Sequence, residues 1–380
     1  MNAPRWWSVG YLIPRLLAIA LAIDVVFRLV PPAWLGFRAG SAEFFYRAPG
    51  EAFVPNSRSH SDRDYGDLAA LGNLPELRLY RPVTFTSDSL GFRNVQSSTD
   101  VRAILIGDSF GLGEGVTDED TLSAQLSRVA GCRVYNAASQ VPLIQVPRPD
   151  VIFHLARQLR MHSGLIIAER VERLASPKMP PPEGRQAQLV RRIPGFSLAQ
   201  RLQVSVRVSP VALWAGALYK RLQNDVVLPN GYAKLITKRL LQNGDWMLFY
   251  EDEISGYESH REASIDYWTR LNMELTQAGF GFLVVLVPNK YTVYYPSLVD
   301  PVRTAVPPEQ FLQRTEAALR EARVPVINLT EPFQRQAQKD LARGSYLYSR
   351  DDSHWNSRGI EVAASEIRDA WRSEGKDPCQ

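Results

Sequence analysis

Short apolar runs recur along the chain from about residue 101 onward. Between them lie stretches in which apolar residues return every three or four positions. Ala103-Ile104-Leu105-Ile106, closed by Gly107, has no polar interruption, the pattern of a strand buried on both faces. Comparable runs stand at Val134-Tyr135, Leu165-Ile166-Ile167, 282–287 and 324–329. Helical periodicity fills the intervals at roughly 119–130, 147–160, 258–278, 308–323 and 357–372. Strands alternating with helices predict βαβ units. The expected domain is therefore a three-layer α/β/α sandwich on a central parallel sheet of about five strands.

The N-terminal third reads differently. Residues 6–30 are apolar apart from Arg15, Asp24 and Arg28, and Pro31-Pro32 ends the helix they predict. The uninterrupted run 16–23 is too short to span a bilayer, but its apolar flanks bring the segment to spanning length. No small-residue cleavage site stands out, so residues 1–35 read as an uncleaved membrane or signal anchor. Arg5 on the cytoplasmic side puts the rest of the chain outside the cytoplasm. The alternative is an amphipathic helix packed on the main domain. Residues 36–100 show no strong period and are expected to be linker and irregular cover. Residues 101–380 form the main domain, with an insertion at about 175–235 where the alternation stops and Met179-Pro180-Pro181-Pro182 leads into an arginine-rich run.

Composition changes this picture little. A net charge of +4 does not suggest a nucleic-acid protein. The charge is uneven: residues 151–240 hold 15 Lys/Arg against 4 Asp/Glu, which reads as a solvated basic face or a surface for anionic polysaccharide or lipid headgroups. Cys132 and Cys379 have no metal-ligand spacing, so no metal is expected, and both a disulfide and two free thiols stay open.

Candidate chemistry sits at two places. In open α/β sheets, sites form at the carboxyl ends of strands. The first strong strand ends in Gly107-Asp108-Ser109-Phe110-Gly111, a sharp turn that exposes a serine and leaves its amide to help hold an oxyanion. Far downstream, Asp351-Asp352-Ser353-His354-Trp355-Asn356 precedes the last predicted helix. His354 alone among the five histidines has carboxylates two and three positions before it, as a base needs an orienting acid. Asp352 is the expected acid and Asp351 the fallback.

Ser after the first strand and Asp/His before the last helix, in this order, resemble the SGNH (GDSL-like) hydrolase superfamily. Gly107-Asp108-Ser109-Phe110 matches its first block and Asp352-Ser353-His354-Trp355 its last; Asp88-Ser89-Leu90-Gly91-Phe92-Arg93 is similar to a segment that precedes the Ser block in membrane-anchored members. Tyr135-Asn136-Ala137-Ala138 corresponds to the second block, with Ala138 where the family has Gly. The third block, a GxND, is absent; Ala168-Glu169-Arg170-Val171-Glu172 stands there instead. That departure is similar to the alginate O-acetyltransferase branch, which Gly244-Asp245-Trp246-Met247-Leu248-Phe249-Tyr250 and Val287-Pro288-Asn289-Lys290-Tyr291-Thr292-Val293-Tyr294 also resemble. One feature departs from that branch: its Asp-x-His element precedes the Ser block, whereas here it follows.

The resemblance implies a flavodoxin-like SGNH fold and a serine-dependent O-acetyltransferase acting on a cell-surface or exported polysaccharide. It implies Ser109 as nucleophile, His354 as base and Asp352 as acid. Ala138, Lys290 and Asp108 are the expected oxyanion or substrate-binding residues. It further implies a multispanning membrane O-acyltransferase as acyl-supplying partner; no cofactor is expected, and the N-terminal segment makes this an inner-membrane anchored chain with its catalytic domain on the periplasmic side. A carbohydrate esterase with the same triad and a non-catalytic glycan-binding subunit are the alternatives.

Overall fold

The computed structural model describes residues 6–27, 53, 55–72, 74–95, 100–139, 146–177, 211, 235–255, 264–302, 307–373 and 379. The expected insertion at about 175–235 lies almost wholly outside them. The chain opens with helix α1 (Trp6–Phe27), which exposes Leu12, Ile13, Leu16, Leu17, Ile19 and Leu21. Among the described residues no helix is long and apolar enough to cross a membrane.

Within residues 36–100, where irregular cover is expected, an antiparallel pair of strands appears: β1 (Arg58–Asp64) and β2 (Arg81–Thr86), with helix α2 (Asp67–Leu71) between them. The main domain follows as β3 (Val101–Ile106), α3 (Ser109–Leu112), α4 (Leu122–Ala130), β4 (Arg133–Asn136), α5 (Pro149–Gln158) and β5 (Gly164–Val171). A second antiparallel pair, β6 (Ile236–Leu240) and β7 (Trp246–Tyr250), leads into α6 (Glu251–Ile254) and α7 (Asp266–Gln277). Then come β8 (Phe280–Val287), α8 (Lys290–Tyr294), α9 (Gln310–Glu321), β9 (Val326–Asn328), α10 (Thr330–Leu341) and α11 (Ser357–Ser373).

Strands β4-β3-β5-β8-β9 form one parallel sheet in that order. This is the expected α/β architecture. Strand side chains alternate between two cores. Leu105, Ile167 and Val285 face α4, α10 and α11 through Leu126, Phe333 and Ile367. Ile104, Ile166 and Val284 face α5, α7 and α9 through Leu155, Leu271 and Leu319. Burial on both faces explains why these strands read as unbroken apolar runs.

The strand order turns back on itself at β3: β4 lies on one side of it and β5 on the other. The crevice outside the carboxyl ends of β3 and β5 is where ligands bind in such sheets. Residue 107 enters that crevice. A Cβ on Gly107 would stand 2.5 Å from Glu169 Oε2, so only glycine lets the chain turn there. At the far end, a disulfide joins Cys132 to Cys379, with Cα atoms 5.4 Å apart. It ties the C-terminal tail to the turn between α4 and β4.

Candidate active site

Ser109 is the first residue of α3, and Asp108 is the cap. Asp108 Oδ1 accepts from the Phe110 amide at 3.0 Å, and Oδ2 accepts from the Val171 amide at 3.1 Å. Glu169 Oε2 accepts from the amides of Asp108 (3.2 Å) and Gly111 (2.8 Å). The turn is thus held by two buried carboxyls from inside the sheet. Burial, then the nearby Asp108, pushes the Glu169 carboxyl well above its ordinary range. The Ser109 amide, at the start of α3, has no hydrogen-bond partner among the described residues.

His354 arrives on the loop before α11. Its Nε2 lies 2.8 Å from Ser109 Oγ, and its Nδ1 lies 2.8 Å from Asp352 Oδ1. The structure therefore brings Ser109, His354 and Asp352 into one hydrogen-bonded chain although 245 residues separate the serine from the histidine. Asp352, not Asp351, faces the ring. Asp351 points the other way: its Oδ2 accepts from the amides of Gly66 (2.7 Å) and Leu79 (2.9 Å). Arg81, from β2, bridges both acids, donating to Asp351 Oδ1 at 3.1 Å and to Asp352 Oδ2. Asp67, from α2, accepts from both the amide and the hydroxyl of Ser353 at 2.6 Å.

Three expected contact residues have partners within the chain. Ala138 donates its amide to Asn136 Oδ1 at 3.0 Å, so that hydrogen already has an acceptor within the chain. Asp108 is a buried acceptor inside the turn; a carboxylate there braces backbone amides and offers an oxyanion nothing. Lys290 is buried, and its ammonium donates to the carbonyls of Ser349 (2.8 Å), Arg350 (3.0 Å) and Asp352 (2.8 Å). These three contacts tie Lys290 to the loop that carries Asp352 and His354. Burial drives the Lys290 ammonium down to about 7, against the pull of Asp351 and Asp352. Trp355 belongs to the core: its indole N–H donates to the Phe110 carbonyl at 3.1 Å and its ring meets Phe110 edge-on at 5.5 Å.

Sequence reading missed Arg81, Asp67, Glu114 and Glu169. Glu114 is buried, and its Oε2 lies 3.6 Å from His354 Nε2. Burial alone would lower the imidazole's affinity for a proton, but Glu114, Asp352 and Asp67 together raise His354 to about 9. A lone carboxylate between two glycines, Gly113-Glu114-Gly115, is the signal that marks this position in the sequence. Asp67, Asp352 and His354 place ligand-type atoms within 4.8 Å of one another, but Ser353 and Arg81 already engage the two carboxylates.

Part of the chain is similar to a known domain. Residues 242–378 match the SGNH hydrolase-like domain of acetyltransferase AlgX. The matched segment spans a little over a third of the chain and carries Lys290, Asp352 and His354, while Ser109 lies outside it. Together with the parallel sheet it supports an SGNH-like fold and an acetyltransferase-type role. One similar solved structure is "Salicylyl-Acyltransferase SsfX3 from a Tetracycline Biosynthetic Pathway", 15% identical, with a TM-score of 0.32 over 80% of this chain and 60% of that one. No curated protein matches the chain.

Proposed function

We propose that this protein is a serine-dependent O-acetyltransferase of a cell-surface or exported polysaccharide. The observation that carries the reading is the continuous hydrogen-bonded chain Ser109–His354–Asp352, next to a segment that matches AlgX. Nε2 removes the Ser109 proton as Oγ bonds to the acyl carbon, and the same proton passes to the leaving group as the donor's acyl bond breaks. The Ser109 amide holds the oxyanion. In the second half, a sugar hydroxyl gives its proton to Nε2 while its oxygen bonds to the acyl carbon; the Oγ–carbon bond breaks and Oγ recovers the proton.

The proposed setting is the outer side of the cytoplasmic membrane, with α1 as the anchor. The exposed apolar side chains of α1 support this, as does the Cys132–Cys379 disulfide, which suits an oxidising compartment. A multispanning acyltransferase would then deliver the acyl group across the membrane.

The test is incubation of the full chain in detergent with p-nitrophenyl acetate, with and without an oligosaccharide acceptor, following nitrophenol and acetylated sugar. Acetylated sugar that forms with the parent and not with Ser109→Ala is the expected result. Nitrophenol release without sugar acetylation would replace the reading by an esterase. Turnover by Ser109→Ala equal to the parent's would remove the serine mechanism altogether.

A further inference from the structure

The reactive side of the imidazole carries a carboxylate that a Ser–His–Asp chain does not need. Asp352 and, further off, Asp67 lie on the Nδ1 side of His354, at 2.8 and 3.8 Å. Glu114 lies on the opposite side, 3.6 Å from Nε2, the atom that exchanges protons with Ser109. The fold holds it there firmly. Gly113 and Gly115 flank it with φ of +83° and +79°, a left-handed backbone that other residues adopt at a cost. The Glu114 amide donates to the Ser109 carbonyl at 3.0 Å. Arg93 donates to the carbonyls of Gly113 (2.6 Å) and Val116 (2.8 Å), and Arg81 donates to that of Gly115 (2.9 Å). Two arginines and two left-handed glycines thus fix a five-residue loop whose one charged side chain is buried against the base.

We propose that Glu114 is a positioning carboxylate that holds the imidazolium form of His354 from the Nε2 side, the side on which protons pass to and from Ser109 and the acceptor hydroxyl. The inference rests on His354 being the base. Glu114 then steadies the charge that the ring gains when Nε2 takes the Ser109 proton, and removal of Glu114's charge weakens the ring's hold on that proton. The other charged groups near the ring lie away from Nε2 and have partners of their own. Asp352 is shared with Arg81 and lies beside the Lys290 ammonium; Asp67 is engaged by Ser353 and by the Tyr250 hydroxyl at 3.2 Å; Arg173 stands behind Phe110, 5.5 Å from that ring.

The experiment is an NMR titration of the His354 ring in the full chain in detergent, assigned by loss of its signals in His354→Gln, in the parent, Glu114→Gln and Glu114→Asp. No acyl donor or acceptor is present, so the outcome is separate from that of the acyl-transfer reading. Glu114→Gln is expected to lower the midpoint by about one to three units, the effect of an opposite charge within this distance. Glu114→Asp, with its charge drawn back, is expected to fall between. A Glu114→Gln midpoint equal to the parent's overturns the proposal. If Glu114→Gln does not fold, Glu114→Asp decides, and a midpoint at or above the parent's overturns it. The activity readout follows the same sign: the nitrophenyl acetate pH profile of Glu114→Gln rises at lower pH, toward a lower plateau, because the freed base is weaker.

Discussion

Arg81 donates to Asp352, so the acid that orients the base is itself held by a cation from a strand that precedes the whole α/β sheet. The same guanidinium binds Asp351 and the Gly115 carbonyl. One side chain thereby joins the His354 loop to the Glu114 loop.

Arg81→Lys is expected to fail as a substitute, because an ammonium cannot span two carboxylates and a carbonyl as a planar fork does. Displacement of Asp352 by about 1 Å would cost roughly 10²-fold in kcat. Loss of the cation also leaves two buried acids short of a partner, worth about 3 kcal/mol of stability. Steady-state ester cleavage and a denaturant melt, run together on Arg81→Lys and Arg81→Ala, check both. Parental kcat in Arg81→Ala would remove Arg81 from the positioning scheme.

Lys290→Met separates the two roles open to that lysine. As a brace for three carbonyls, its loss is expected to destabilise the protein by about 2 kcal/mol and to lower kcat with KM nearly unchanged. A raised KM with an intact melting temperature would instead return Lys290 to the substrate.

The ionisation of His354 makes stability depend on pH. Its folded value, about 9, lies above the ordinary 6.5, so the folded state binds the extra proton more tightly. The contribution is full below about pH 6.5 and fades as pH rises through about 9, amounting to about 3 kcal/mol. The stability difference between the parent and His354→Gln, measured from pH 6 to 10, is expected to shrink along that course. Taking the difference removes Lys290, whose depressed value acts in the opposite direction between about 7 and 10.5.

Gly107→Ala would set a Cβ 2.5 Å from Glu169 Oε2 and 2.9 Å from the Glu169 carbonyl, so the turn must shift and carry Ser109 with it. Fluorophosphonate labelling of Ser109 is expected to slow by roughly 10²-fold. Gly131→Ala is the control: its φ is +78° with nothing within 4 Å, so it should cost about 1 kcal/mol of stability and leave labelling at the parental rate.

The five parallel strands were legible because burial on both faces writes itself as an unbroken apolar run, and the serine and histidine because each stands in a compact motif. The frame around them was not. β1 reads Arg-Ser-His-Ser-Asp-Arg-Asp, without one apolar residue, and is placed by polar contacts that have no period. Asp67 and Arg81 meet the His354 loop across more than 270 residues of chain, which spacing cannot reveal. α10 escaped notice because only Phe333, Ala337 and Leu341 of its buried face are apolar, the rest being Thr330 and Asp340. Lys290 sat where a site residue belongs, at the end of a buried strand, yet its partners are carbonyls about 60 residues away, and backbone acceptors leave no mark in a sequence.

Gly66 touches the same loop more closely than any side chain allows: a Cβ there would fall 1.9 Å from the Asp351 carbonyl, and its amide holds Asp351 Oδ2. The segment around β1 and β2 is therefore fitted to one particular acid pair, as a key is cut to one lock. Recombination between relatives that exchanged everything before residue 100 would keep Ser109, Asp352 and His354 and still break the fit. Such hybrids would have to inherit Gly66, Asp67 and Arg81 together with Asp351 and Asp352, so these five positions should travel through descent as a single unit.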